Sequence, residues 1–582
     1  MTWYGDQARR PDQDATVILP AVPADATVIL PALQPTVSQP PSGGGEDNTS
    51  SVTRNSAVMA VGSLVSRLTG FVRTVAIGAA IGARAFSNDY TLANTLPNMV
   101  YELLLGGVLA SVVVPLLVRA RTRDSDRGEA YAQRLLTLAT VFLAVATAFA
   151  VLLAPVLTQV VAGNSSGINQ HLITVLGYLL LPEIFFYGIA AVVAAILNTR
   201  GHFAAPMWTP ILNNIVVIAT AGAFILIWSN AKELAPQDVT AGQILVLGVG
   251  TTLGIVVQAA GLFPALRKVG FRWRWRWDWR ELRLPELARV GGWMLGYVAV
   301  SQVALVIVLA LAQRAADRGG PGPMVFNNAY LIFMMAHGIV AVSIITALLP
   351  RMSTAAAEHR YADVAAQLSL GTRLSAVILI PATAVYVILG RQLGVALFEW
   401  RSYNHDDSIT TGWVIAAAGI GLVPFAISQL QIFAFYALPD TRTPALLNLP
   451  VAALRIVIDL LLYVGLAAGS VAAGLMIGNA VSFVAATGLG YWLLRRRLGR
   501  LGLTQMLSTL ARLSAATLIA AVPTLLVSLI LVHAIGLGKI ASIVELIVGG
   551  LILVTVYLAA AVGLRVREVS DVWGMVRGRL GR

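Results

Sequence analysis

From residue 54 onward the chain alternates long apolar runs with short polar breaks, and each run is long enough to cross a bilayer as a helix. The pattern predicts about fourteen spans: 54–82, 88–118, 132–161, 170–199, 204–229, 240–267, 286–315, 324–350, 366–390, 409–438, 443–467, 470–494, 506–534 and 540–563. Helices are the form such runs must take, because lipid cannot satisfy open backbone groups. The expected fold class is an all-α polytopic membrane protein. Residues 1–53 break the pattern. They are rich in Pro, Ser, Gly, Asp and Thr and read as a disordered tail.

Composition agrees with the pattern. Of 582 residues 57% are hydrophobic and 12% charged, with a mean hydropathy of +0.77. A soluble domain carries about twice that share of charge. A signal peptide does not account for apolar runs that continue to the end. The net charge of +13 raises the question of nucleic acid, but the basic residues sit in short loops between apolar runs. With the amino terminus cytoplasmic, the inner side carries 24 Lys and Arg after the first span and the outer side seven. That imbalance predicts both termini in the cytoplasm. The absence of cysteine excludes disulfides and thiolate metal sites. No metal-ligand cluster, nucleophile elbow or phosphate-binding loop appears, so neither an enzyme nor a resident cofactor is expected.

Two loops carry further signals. Asp-Ala-Thr-Val-Ile-Leu-Pro-Ala occurs at 14–21 and again at 25–32. It is either a low-complexity linker or a short linear motif with Thr16 and Thr27 as phospho-acceptors, whose phosphates would dock onto Arg-lined pockets. The linker between spans six and seven contains Arg272-Trp273-Arg274-Trp275-Arg276-Trp277-Asp278-Trp279-Arg280. Extended, it puts Trp on one face and Arg on the other, which suits an interface of anionic headgroups better than nucleic acid.

The sequence also resembles itself. Val65-Ser66-Arg67 matches Val300-Ser301-Gln302, and Pro115 matches Pro350, both at an offset of 235; Pro206 matches Pro444 at 238. Apart from the general likeness of apolar helices, this points to two six-helix halves in parallel repeat, an arrangement of transporters. The expected organisation is a tail (1–53), a first lobe (54–267), a basic, Trp-rich linker (268–285), a second lobe (286–494), helices 13 and 14 (495–565) and a cytoplasmic tail (566–582).

Ionisable groups at bilayer depth cost roughly 2.5–3.5 kcal/mol each and mark pathways by default. Arg67 and Arg73 lie in span 1, Glu102 in span 2, Glu183 in span 4, and Arg455 and Asp459 in span 11. Glu545 and Arg512 lie nearer span ends and are expected to snorkel. The repeat maps Arg67 to Gln302 and Arg73 to Val308, so the cation pair belongs to one half only. Either the two arginines tie helices together through Glu102 and carbonyls, or they hold a phosphate-bearing guest beside Ser66, Gly70 and Asn98. Arg455 and Asp459, spaced i, i+4, form an ion pair or take part in coupling and gating. Glu183 binds a cation or proton, or is simply hydrogen-bonded.

Ser66-Arg67-Leu-Thr-Gly70-Phe-Val-Arg73 resembles the first-helix motif of the MurJ/MviN family, the lipid II flippases, within the MATE-like exporter superfamily. So do Leu96-Pro97-Asn98, Gly107-Val-Leu-Ala-Ser111 with Val114-Pro115, and Leu197-Asn198-Thr199 running on to Phe203, Pro206, Pro210 and Asn213 or Asn214. Phe435-Tyr436 with Asp440 and Thr443-Pro444 fits the second-half motif. The resemblance covers roughly residues 54–565. It implies a central cationic cavity for the diphosphate and sugars of lipid II, a groove for the undecaprenyl tail along helices 13 and 14, and alternating access driven by membrane potential or a Na+ or H+ gradient. Arg67 and Arg73 match the family's two span-1 arginines. Thr74, Tyr101, Leu331 and Asn88 (or Asp89) stand where charged positions of the family align. The alternative readings are an exporter of another polyprenyl-linked glycan or amphiphile, and a membrane scaffold recruiting cell-wall regulatory proteins through its amino-terminal tail.

Overall fold

The computed structural model describes residues 47–83, 86–102, 117, 120–121, 124–162, 169–228, 236–278, 284–536 and 538–569. Thr16, Thr27 and Pro115 lie outside the described residues. The first half contains α1 (Asp47–Ile81), α2 (Phe86–Glu102), α3 (Glu129–Leu152), α4 (Ala154–Ala162), α5 (Gln170–Leu180), α6 (Glu183–Thr199), α7 (Ala204–Ile227), α8 (Ala241–Ala260) and α9 (Phe263–Lys268). The second contains α10 (Leu284–Ala316), α11 (Pro323–Ala357), α12 (Tyr361–Phe398), α13 (His405–Gly419), α14 (Leu422–Ala437), α15 (Arg442–Gly465) and α16 (Val471–Leu498). Two helices follow, α17 (Leu503–Ile535) and α18 (Lys539–Gly563).

Among the described residues 11 helices are long and apolar enough to cross a membrane, or 12 when the bent pair α13–α14 is one span. The expected fourteen is not reached there; α2, for example, is described over only 17 residues. Large apolar side chains such as Leu226, Leu461, Leu529 and Leu551 stand exposed on the outside of the bundle, where lipid is the matching solvent.

Several apolar runs that read as single spans are broken in two. The breaks fall at Leu153, at Leu181–Pro182, at Gly261–Leu262 and at Ile420–Gly421, the last with a bend of 49°. A proline sits at or just after each one: Pro155, Pro182, Pro264 and Pro424. Its ring removes a donor and clashes with the preceding turn, while the first turn of a new helix tolerates it.

The repeat is visible in the packing. α1 packs on α7 and α7 on α8; α10 packs on α15 and α15 on α16. One side chain fixes each pairing. Asn214 of α7 donates to Ser66 O at 3.1 Å and Thr69 Oγ1 at 2.9 Å on α1. Asn448 of α15 donates to Tyr297 O at 3.0 Å and Ser301 Oγ at 3.0 Å on α10. Ser66 and Ser301 are the residues that the sequence offset pairs.

The apolar cores show how the halves meet. One cluster is shared: Ile77, Ile81, Phe86 and Tyr90 pack with Val308, Leu311, Met324 and Phe326. It lies where α1 and α10 end and where α2 and α11 begin. Toward the opposite end each half keeps its own cluster, one around Leu136, Val193 and Leu266, the other around Met352, Val364 and Leu498. Among the described residues the halves share an apolar core at one end and keep separate cores at the other.

α17 and α18 pack on each other and on α12. Tyr557 Oη donates to Val377 O at 2.6 Å, and Arg373 pairs with Glu568. Glu545, expected to snorkel, is instead buried in this interface. Its Oε2 accepts from Gln392 Nε2 at 2.5 Å and Ser528 Oγ at 3.0 Å. Those two donors hold the carboxyl group where α18 meets α12 and α17. Arg512 is exposed and reaches Arg565 O at 3.3 Å, as expected of a snorkelling residue.

Candidate functional site

The polar positions cluster at one depth. At about 1.5 Å per residue, Arg67 lies roughly 21 Å from the end of α1 and Gln302 a similar distance from the end of α10. Glu102 and Gly338 lie at comparable depth from the starts of α2 and α11. The layer falls where the shared apolar core gives way to the two separate ones.

Arg67 crosses between the halves. Its guanidinium lies so close to Gly338 of α11 that a β-carbon there would overlap Nη1. The neighbouring His337 is buried and within electrostatic range, and its ring lies 4.4 Å from that of Phe425. Among the described residues no carboxylate forms an ion pair with Arg67. The sequence suggested that Glu102 neutralises one arginine; in the structure Glu102 accepts a hydrogen bond from Gln302, the repeat counterpart of Arg67. The cross-half link at this depth is thus made by Glu102 and Gln302, beside Arg67 and Gly338.

Arg73 does not share that position. Six residues on, it is turned by roughly 120° around the helix. It lies within electrostatic range of Glu183 and Tyr90, inside the first half. Glu183 is buried and accepts from Thr252 Oγ1 at 3.3 Å; Tyr90 and Thr251 share a hydrogen bond of 2.8 Å. Ser66 and Gly70 occupy the face of α1 that packs against Asn214. Asn98 is half-buried and donates to Asn94 O at 2.9 Å, one turn back on its own helix.

Arg455 and Asp459 form an ion pair of 3.6 Å, with Asp459 fully buried against Gly478 of α16. Arg455 lines a small cleft inside the second half, together with Tyr297, Ser301, Gln429, Asn448 and Ser482. The cleft joins the pair to α10 and reaches Phe425, whose ring lies 4.4 Å from that of His337.

The joined end of the molecule is sealed by a hairpin. Tyr403, in the turn between α12 and α13, is wholly buried, with its ring 3.2 Å from where a β-carbon on Gly78 of α1 would lie. Ser402 N donates to Ala79 O at 3.5 Å, and Asn328 Nδ2 of α11 donates to Tyr403 Oη at 3.4 Å. Asn88 of α2 accepts from Met324 N at 3.1 Å, capping α11 from the other half. Neither His337, Gly338 nor Tyr403 was singled out from sequence. The lone histidine in an apolar span was the available signal.

The family pattern described as "Lipid II flippase MurJ" matches residues 77–545. The chain belongs to the lipid II flippase MurJ family. A probable lipid II flippase of Buchnera aphidicola subsp. Baizongia pistaciae is 25% identical over 388 residues, 66% of this chain and 72% of its own. The lipid II flippase of Burkholderia cenocepacia is 26% identical over 390 residues, 66% and 72% respectively. In fold the chain is similar to a lipid II flippase solved in an inward closed conformation, with a TM-score of 0.67, 16% identity, and coverage of 86% of this chain and 98% of that one. Thr74 bonds Gly70 O at 3.2 Å within α1, and Leu331 is half-buried on α11. The side chain of Tyr101 lies outside the described residues.

Proposed function

We propose that this chain carries lipid II, the undecaprenyl-diphosphate-linked peptidoglycan precursor, from the inner to the outer leaflet of a bacterial inner membrane. Membership of the family supports the cargo. The observation that carries the mechanism is Arg67: a guanidinium at the junction of the halves, without a carboxylate partner among the described residues. A planar, always-charged fork suits a diphosphate, whose tail can remain in lipid while the head group enters the layer.

The two lobes, 54–267 and 286–494, act as the moving bodies, and both termini lie in the cytoplasm. In this orientation the joined end faces outward and the separated cores face the cytoplasm, where lipid II is made. Binding of the diphosphate at Arg67 gives both halves a common anion. Opening of the outer end requires Tyr403 to leave the end of α1 and Asn88 to release α11. Arg73, near Glu183, tunes the field of the first half. Arg455 and Asp459 couple the second-half cleft to this movement.

Complementation of a flippase-depleted strain tests the reading. The wild-type chain restores growth and Arg67→Ala does not, at equal membrane abundance. Full growth with Arg67→Ala would contradict the assignment.

A further inference from the structure

The Trp- and Arg-rich linker is held as a fixed ribbon. Residues 271–278 run extended after α9 and lie along the first turns of α3. Phe271 anchors one end, buried beneath the Arg200 guanidinium at 5.0 Å from the ring centroid. Burial lowers the Arg200 pKa, with the Glu129 carboxylate opposing the effect. Gln133 Nε2 donates to Arg272 O at 2.7 Å. The buried Thr137 Oγ1 accepts from both Trp273 Nε1 and Arg276 N, each at 3.3 Å. Asp278 pairs with Arg134 at 3.4 Å.

This anchoring leaves the indoles outside. Trp273, Trp275 and Trp277 are 43%, 61% and 50% exposed, and Arg272 and Arg274 are exposed between them. Three indoles in water would forfeit burial worth a few kcal/mol. Gln133 and Thr137 lie roughly 6–12 Å along α3 from its start, so with that start at the membrane surface the ribbon falls at the level where headgroups meet acyl chains. There an indole finds apolar contact and a guanidinium finds phosphate.

We propose that the ribbon 271–278 is a binding surface for anionic phospholipid headgroups, held rigidly on α3 by Thr137 and Gln133. Its arginines grip lipid phosphates while its indoles enter the acyl boundary. Because the ribbon leads from the first half to the second, it fixes the junction between them to the inner leaflet. The assignment is independent of the transported cargo. Nucleic acid, the alternative polyanion, has no reason to meet indoles at membrane depth.

The full chain in nanodiscs tests this by tryptophan fluorescence. The ribbon's signal is defined by difference from W273F/W275F/W277F. Brominated phosphatidylglycerol is expected to quench that signal severalfold more than brominated phosphatidylcholine. R272Q/R274Q/R276Q should abolish the preference while helicity and thermal stability stay unchanged. Equal quenching by both lipids, a preference that survives the arginine substitutions, or quenching by aqueous iodide alone would each overturn the proposal. Circular dichroism on both triple variants separates misfolding from lost lipid contact, and W275F with R274Q alone gives the same comparison if a triple variant misfolds.

Discussion

Arg67 of the first half and Gly338 of the second fit together because Gly338 has no side chain: a β-carbon there would overlap the guanidinium. The glycine is costly in a helix, by about 1 kcal/mol relative to alanine, and its value lies in the space it leaves. Gly338→Ala should therefore leave the protein folded, or slightly more stable, while displacing Arg67. Transport is expected to fall roughly tenfold or more, the consequence of losing one charge-assisted contact of about 1.5–3 kcal/mol. Outer-leaflet precursor accessibility together with a melting curve checks this. Wild-type transport in a stable Gly338→Ala protein would remove Gly338 from the mechanism.

In the proposed cycle the hairpin carrying Tyr403 leaves α1 as the outer end opens. The natural sequence has no cysteine, so Ala79→Cys with Ser402→Cys provides a single engineered pair. The backbones already approach, with Ser402 N 3.5 Å from Ala79 O. Oxidation is expected to block transport and reduction to restore it. Undiminished transport by the cross-linked protein would show that the hairpin stays in place throughout the cycle.

Asp459 is wholly buried and has Arg455 as its ionic partner. Arg455→Ala should cost about 3–5 kcal/mol by leaving a buried charge without its partner, whereas replacing both residues by leucine should cost much less. Thermal unfolding in detergent measures the first effect. Transport by the double variant, where it folds, separates packing from coupling: retained activity would make the pair structural.

Glu545 is the acceptor for Gln392 and Ser528 where α18 meets α12 and α17. Glu545→Ala leaves those donors without it and should destabilise the protein by about 1–3 kcal/mol, whereas Glu545→Gln keeps an oxygen in place and should lose less. Equal melting temperatures for the two variants would count against this account.

The helical architecture was legible because a bilayer imposes a long, simple apolar period. The repeat was legible too: the offset pairing Ser66 with Ser301 reappears as matching contacts from Asn214 and Asn448. The breaks at Pro155, Pro182, Pro264 and Pro424 were hidden inside uniformly apolar runs, where hydropathy does not distinguish one helix from two. The partners of the buried charges were the least accessible from sequence. The bond between Glu102 and Gln302 depends on how two distant halves approach. Gly338 and Tyr403 matter through that same approach, and no local pattern encodes it. The positions of Arg67 and Arg73 on α1 followed from sequence, but their different surroundings needed the packed structure.

The most direct test is the appearance of labelled lipid II on the outer leaflet in cells whose sole flippase is this chain or its Arg67→Ala variant. With membrane abundance matched, the account predicts rapid outer-leaflet labelling for the wild type and loss of roughly tenfold or more for the variant, as expected for one lost charge-assisted contact. Equal labelling would contradict the claim that a positive charge between the two halves holds the precursor's phosphates.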